Sequence, residues 1–520
     1  MGSGKKLKMQ LSKKTINQIR KTANVFLPNE NTFSLPEKVL QFGTGVLLRG
    51  LPDFLINEAN NKGIFNGRIV VVKSTEAGGD ASIFNKQDGL YSVCVRGISN
   101  EEKIDKVIIS SSVSRVLTAS SQWDEILLCA ENPEMQIVIS NTTEIGILFV
   151  QDNVHASPPI SYPGKLLAFL YQRYKYFNGS VDKGMVIIPT ELITENADKL
   201  LSILLELAHQ NGLEIDFIDW LEGANHFCNS LVDRIVPGKL SVLEQTHVEK
   251  MLGYRDGLMI MAEVYALWAI ESNSKKVKDI VSFADIDNGV IIAEDINKFR
   301  ELKLRLLNGS HTFACGLAFL AGFDTVKVAM EDIDFADYMK QLMYSEIIPS
   351  IVNSNISEQE AQTFADVVLE RYSNTFIDHH WHSITAQYSS KMHLRNTDVI
   401  KNYFKIFKSV PPLMALGMAG HILFMRSDTT DGLKFYGDMN GRKYLISDTN
   451  AELYSTRWKK YRREFIVKNI FSKVELWQSD LNDLPGFEEE VTNQLNILKD
   501  KGAAFALHYA VTKKNIFANE

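Results

Sequence analysis

Lys303, Asn308 and His311 stand together in the segment ELKLRLLNGSHTF, residues 301–313, among Leu302, Leu304, Leu306 and Leu307. A lysine stripped of part of its water exchanges a proton near neutral pH. Asparagine and histidine side chains donate hydrogen bonds to a carbonyl or alkoxide oxygen. These are the groups that a metal-free hydride transfer between an alcohol and a ketone requires. On a regular helix Lys303, His311 and Asn308 fall at about 0°, 80° and 140°, so all three share one side. The same residues also fit a plainer description: a solvated lysine, an asparagine at a helix irregularity before Gly309, and a histidine satisfied in a core.

Two further stretches carry residues of chemical interest. FGTGVLLRG, residues 42–50, follows the apolar run KVLQF and precedes LPDFLINEANNKG, which has helical periodicity. Gly43 and Gly45 therefore sit at a strand-to-helix turn, where glycine lets backbone N–H groups approach a pyrophosphate. The third glycine of the usual fingerprint is replaced by Leu48, so the pattern also fits an ordinary βα turn. The next strand, RIVVVKST, ends in Lys73, Ser74 and Thr75 where an acid would hold the ribose of NAD; a lysine there is compatible with NADP. In DHHWHS, residues 378–383, His379, His380 and His382 crowd together. No H-E-x-x-H or paired carboxylate pattern accompanies them, so no metal is expected.

The elements that must position these residues fall into two halves. From about residue 37 to 190, β-rich runs (KVLQFGTG, RIVVVKST, QIVISNTT, GMVIIPTEL) alternate with helical ones (QWDEILLCAENPEM, KLLAFLYQRYKYF). That is the signature of βαβ units and a largely parallel sheet. After about residue 285 the periodicity becomes helical, in KFRELKLRLLNGSHTFACGLAFLAG, DYMKQLMYSEIIPSIV, EQEAQTFADVVLERY and FEEEVTNQLNILKDKGAAFALHYAV. The expected organisation is an N-terminal extension over 1–36, an α/β Rossmann-type domain over 37–285 and a mainly α-helical domain over 286–520. The stretch 426–455, with RSDTTDG and DMNGRK, reads as a surface hairpin or loop.

A chain of 520 residues exceeds one typical domain. Its net charge of −7 argues against a nucleic-acid binder, which would display a basic face. Cys94, Cys129, Cys228 and Cys315 are scattered with no C-x-x-C, as in a reducing compartment. The longest apolar run, VPPLMALGMAGHILFM at 410–425, is too short to span a bilayer and reads as a buried helix. The basic start, MGSGKKLKMQLSKKT, lacks the apolar core of a signal peptide. A cytoplasmic protein acting on a small molecule is expected.

In their order along the chain these motifs resemble the polyol-specific long-chain dehydrogenase/reductase family, over nearly the whole sequence. FGTGVLLRG looks like the family's nucleotide turn, KLRLLNGSH like its K-x4-N-x2-H signature, and NSLVDRIVP, 229–237, like a third block. QFGTG, QDGLYSV, NPEMQIVISNTTE, SYPGKL, IIPTELI and LVDRIVPG point to the tagaturonate-reducing branch.

The resemblance implies a zinc-independent NAD(H) enzyme that reduces D-tagaturonate to D-altronate in hexuronate breakdown, with its active site between a Rossmann-type and a helical domain. Lys303 would be general acid and base. Asn308 and Asn196 would hold the developing oxyanion, and His311 would orient the sugar. Val39, Leu40, Gln41, Phe42, Gly43, Thr44, Gly45, Val46, Leu47, Leu48, Arg49 and Gly50 would lie along NAD. Asp233 would bind substrate hydroxyls, unless it simply pairs with Arg234. A hexuronate needs a cation for its carboxylate, and Lys391, with Arg395, is the candidate; surface charges on a helix are the plainer description.

Two departures stand out. The mannitol-type members place an arginine eight residues before the substrate-binding lysine that Lys391 matches, and Ser383 stands there. They also carry a glutamate three before the catalytic lysine, where this chain has Arg300. Fructuronate reductase, another ketose or polyol oxidoreductase, and a non-catalytic nucleotide sensor remain as alternatives. The family works as monomers or small assemblies.

Overall fold

In the computed structural model the described residues are 9–19, 22–75, 81–142, 146–286, 289–439 and 441–517. The basic start of the chain, residues 1–8, and the end of the NTTE block, residues 143–144, lie outside them. The chain divides into two compact units, one of residues up to 97 with 102–296, the other of 98–101 with 297 onward.

Unit 1 is built on a six-stranded parallel sheet. In chain order its strands are Glu37–Phe42, Arg68–Lys73, Val113–Thr118, Ile137–Ser140, Val186–Pro189 and His226–Phe227. Numbered one to six, they lie side by side as 3-2-1-4-5-6. This is the order of a doubly wound dinucleotide-binding sheet, and its direction reverses between the first strand and the fourth. Both faces are covered, so the strands are apolar at nearly every position. Val39, Ile69, Val71, Ile137 and Ile139 pack on one side with Phe54 and Leu55 of the helix Pro52–Asn61. Leu40, Phe42, Val70, Val72 and Val138 pack on the other with Leu166, Phe169 and Leu204 of the helices Tyr162–Tyr176 and Asn196–Gln210.

Two smaller sheets complete this unit. One has the order Val25–Phe26, Glu102–Ser110, Tyr91–Ser99, Ile260–Glu263. The N-terminal residues expected as an extension thus contribute a strand, with Val25 beside Val107 in parallel. The other joins Ser230–Asp233, Leu267–Glu271 and Val290–Ala293. Its last strand falls in the stretch expected to open the helical half, and it belongs to unit 1 because it pairs with Leu267–Glu271.

Unit 2 is mainly helical. The helices Ser310–Leu320 and Pro412–Phe424 are apolar around almost their whole circumference and both are buried, as a helix without a polar face must be. They approach closely because Gly417 leaves room for Phe313, and Gly420 for Leu317, at the crossing. The apolar run at 410–425 is therefore a core helix, and no described helix is long and apolar enough to cross a membrane. The stretch 426–455 holds a three-stranded antiparallel meander, Thr429–Asp431, Lys434–Met439 and Arg442–Ile446. All four cysteines are unpaired and buried.

Candidate active site

At the end of the first parallel strand the chain turns through Gly43. Its φ of +127° lies where side chains strain the backbone, and a Cβ would sit 3.0 Å from the Asn141 carbonyl and 2.9 Å from Leu48. Only glycine fits there. Gly45 precedes the short helix Val46–Gly50, is exposed, and would meet nothing with an added Cβ. The Gly43 N–H is spent on the Val72 carbonyl at 3.0 Å, so approach to a ligand at the sheet's reversal point falls to the N–H groups that follow it.

The rest of the expected cofactor stretch is narrowed by burial. Val39, Leu40, Gln41, Phe42, Leu48 and Arg49 are buried. A side chain inside the sheet or beneath the helix cannot reach a dinucleotide on its edge. Arg49 turns inward and donates to the Leu258 carbonyl. Gly50 is buried and leaves space for Val236. Gly43, Thr44, Gly45, Val46 and Leu47 retain access. Beneath the turn, Gln41 Nε2 reaches Asp53 Oδ2 at 3.5 Å, and Tyr91 donates to the same oxygen at 3.4 Å. Burial pushes the Asp53 carboxyl up to about 7, against the pull of Gln41, Arg49 and Tyr91.

The helix of Lys303, Asn308 and His311 is not regular. Asn297–Leu302 and Ser310–Leu320 are α-helical, but Lys303–Gly309 between them is π-helical. The offset of about 140° between Lys303 and Asn308 does not hold there. In a π turn residues five apart come into line, much as residues four apart do in an α-helix. Side chains take up the backbone carbonyls of the widened turn. Tyr372 donates to Leu307 O at 2.7 Å, Thr312 to Asn308 O at 2.7 Å, and Asn396 to Gly309 O at 3.1 Å. Ser310 Oγ bonds back to Leu306 O. The partner segment His393–Thr397 is itself π-helical, and Arg305 donates to its Leu394 and Arg395 carbonyls. A Cβ on Gly309 would lie 2.7 Å from Asn396 Oδ1, so a larger residue there would have to push the Asn396 side chain aside.

Lys303 and Asn308 are half-buried, and no hydrogen bond engages the Asn308 amide among the described residues. His311 is buried, with Nε2 lacking a hydrogen-bond partner among the described residues. Its ring stacks on Tyr372, centroids 4.1 Å apart, and meets His379 and Trp381 edge-on. Burial holds it well below the usual histidine range, assisted by His379, Arg371 and Arg395. It is therefore a neutral imidazole at pH 7.

Asn196 differs. Its amide donates to the carbonyls of Pro189, Glu191 and Ser230, and its oxygen accepts from Ser230 N, all within about 3.1 Å. In this structure its amide therefore ties two sheets together rather than standing open like that of Asn308. Asp233 ends the strand Ser230–Asp233 and is buried. Arg234 spends its guanidinium on the Gly50 and Glu263 carbonyls rather than on Asp233. Lys391 is half-buried beside Arg395 and donates to Ile384 O.

The three clustered histidines face three ways. His379 meets His311, His380 approaches Asp324 at 3.4 Å, and His382 Nε2 lies 2.9 Å from the Leu445 carbonyl. Tyr372, Thr312 and Asn396, which satisfy the carbonyls of the π turn, carried no signal in the sequence. Tyr372 and Asn396 lie 65 and 87 positions from the carbonyls they serve.

A sheet with the strand order of a dinucleotide-binding fold is thus followed in the chain by a mainly helical unit. Residues 37–281 match the model for the mannitol dehydrogenase Rossmann domain and residues 295–499 that for the mannitol dehydrogenase C-terminal domain. The chain belongs to the mannitol dehydrogenase family of oxidoreductases. It is 35% identical over 476 residues to an altronate oxidoreductase of Escherichia coli O6:K15:H31, covering 90% of this chain and 95% of that one. It is 34% identical over 482 residues to the altronate oxidoreductase of Halalkalibacterium halodurans, covering 91% and 93%. Among solved structures, a Pseudomonas fluorescens mannitol 2-dehydrogenase, in ternary complex with NAD and D-mannitol, is similar with a TM-score of 0.67 at 21% identity, covering 97% of this chain and 100% of that one. A substrate-free D-sorbitol dehydrogenase is similar with a TM-score of 0.76 at 20% identity, covering 96% and 100%. At these identities the structures speak for the fold.

Proposed function

We propose that this chain reduces D-tagaturonate to D-altronate with NADH, reversibly and without a metal. The observation that carries the reading is the π turn, whose backbone is satisfied by neighbouring side chains while Asn308 and His311 keep unspent polar groups beside Lys303. The altronate oxidoreductases that resemble the chain over nine-tenths of its length support the sugar-acid substrate.

The glycine turn fits a dinucleotide, because Gly45 is open to it and Gly43 permits the bend. NADH, when bound, supplies the hydride that reaches the carbonyl carbon. Lys303 delivers a proton from its ammonium to the carbonyl oxygen as the C–O π bond breaks, leaving an alcohol and a neutral amine that recovers its proton from solvent. Asn308 donates to the oxygen as negative charge develops on it. His311, kept neutral by burial, accepts from or donates to a substrate hydroxyl through Nε2. Lys391 meets the carboxylate, since an unpaired carboxylate in a closed site costs several kcal/mol. Cytoplasmic hexuronate breakdown is the proposed setting, and NAD(H) is preferred over NADP(H).

The test is NADH oxidation by the purified chain with D-tagaturonate, with D-fructuronate, D-fructose and NADPH as comparisons. Rapid turnover of tagaturonate is expected, falling about 10²- to 10⁴-fold in Lys303→Ala. Lys391→Ala is expected to raise KM for the uronate at least about tenfold with kcat kept. Faster turnover of fructuronate would move the substrate. Nucleotide binding without turnover of any ketose would favour a sensor.

A further inference from the structure

Two cations of unit 2 lie together with no carboxylate bonded to either among the described residues. Lys391 donates to the Ile384 carbonyl at 3.1 Å. Arg395 reaches the Asn308 carbonyl at 3.4 Å and Thr312 Oγ1 at 3.0 Å. None of these three contacts offsets a charge, and both side chains are half-buried. Burial lowers both groups from their ordinary values, and the Arg395 charge lowers Lys391 further.

Among the described residues one carboxylate, Asp448, acts on Lys391, and none acts on Arg395. Asp448, the acid acting on Lys391, already accepts from Ser389 N and Oγ and from Asn450 N. His379 and His311 are held neutral by burial, and the Cys315 thiol is pushed up to about 12. Half-buried like charges of this kind are relieved when an anion joins them.

The geometry of Arg395 says how. Both of its bonds leave from Nη1. A guanidinium carries five N–H donors, so Nε and Nη2 remain for the two-point contact that a carboxylate makes with arginine. One end of the group would hold the anion while the other holds the backbone of Asn308.

We infer that Arg395 is a specificity-determining residue: with Lys391 it receives the carboxylate of a sugar acid while tethered to the Asn308 carbonyl, so that binding a charged substrate also places the oxyanion donor. This deepens the proposed function and rests on it. A neutral ketose lacks the anion that relieves the two cations, and is discriminated against for that reason.

The experiment compares wild type with Arg395→Gln and Arg395→Lys, in the full chain with NADH, on D-tagaturonate and on D-fructose. Arg395→Gln is expected to lower kcat/KM for the uronate about 10- to 100-fold, and the value for fructose by a clearly smaller factor. Arg395→Lys, which keeps the charge and serves if the glutamine variant fails to fold, should lie between. Equal losses on both sugars would reduce Arg395 to a packing role, and an undiminished uronate rate would remove it from the site. A second readout needs no turnover: D-altronate, but not D-mannitol, should raise the melting temperature of wild type and not of Arg395→Gln. An equal rise in both proteins, or none in wild type, overturns the inference. Wild type that reduces fructose but no ketouronate would overturn the substrate proposal, and the altronate shift would still decide Arg395.

Discussion

The glycine turn after the first strand and the π turn around Asn308 present opposite parts of the chain. At 39–50 the side chains are mostly buried and the backbone at Gly43–Gly45 is what remains accessible. At 303–311 the carbonyls of Leu306, Leu307, Asn308 and Gly309 are taken up by side-chain donors, and Asn308 and His311 keep polar atoms unspent. Phosphate can be held by N–H groups that every residue but proline carries, so a turn of the right shape suffices. Proton transfer needs particular side chains, so the backbone beneath them must be satisfied by other residues.

The sharpest way to break this contrast is to remove an amide of each kind. Asn308→Ala should lower kcat about 10²- to 10³-fold with little change in melting temperature, because the group acts on the developing oxyanion. Asn196→Ala should do the reverse in kind. It orphans Ser230 N and takes a donor from three carbonyls, of which those of Pro189 and Glu191 keep another, at a cost of about 1–3 kcal/mol for each buried group left unpaired. Its effect should appear first in thermal denaturation. A catalytic loss in Asn196→Ala at full stability would return that residue to the site.

The two glycines of the turn sharpen the comparison within one motif. Gly43→Ala meets the Asn141 carbonyl and a strained φ, so about 1–3 kcal/mol of stability should be lost. Gly45→Ala meets nothing in the chain. It should fold normally and bind NADH about tenfold more weakly, measured by fluorescence titration, if the turn approaches a pyrophosphate. Unchanged NADH binding would make this a plain βα turn.

The smallest effect concerns the buried acid below the turn. The Asp53 carboxyl is raised by burial to about 7 from an ordinary 3.8. Between those values the folded chain holds a proton that the unfolded chain has released. Its contribution to stability is therefore complete below about pH 4 and is lost as pH rises through about 7. In Asp53→Asn that loss should be absent, seen as a flatter dependence of urea midpoint on pH relative to wild type. Parallel curves would show that Asp53 is ionised throughout.

The parallel strands were legible because each is an apolar run with both faces covered, as in Ile69–Val72. The flanking helices were legible from their periodicity. The two smaller sheets were not. Tyr91–Ser99 pairs with Ile260–Glu263 from far along the chain, and Val290–Ala293 is a strand only because Leu267–Glu271 lies beside it. In the candidate site the residue types were legible and their availability was not. Asn196 and Asn308 look alike as letters, yet one is saturated by three carbonyls and the other is open.

By itself the sequence determined the doubly wound sheet, the glycine turn and the lysine, asparagine and histidine of one helix. Each of those rests on local spacing, which neighbouring residues express directly. Tertiary structure alone decided that the helix widens into a π turn, that Arg395 shares a donor nitrogen between Asn308 and Thr312, and that His311 is neutral. Those outcomes depend on partners such as Tyr372 and Asn396, which are distant in the chain and adjacent only once it has folded.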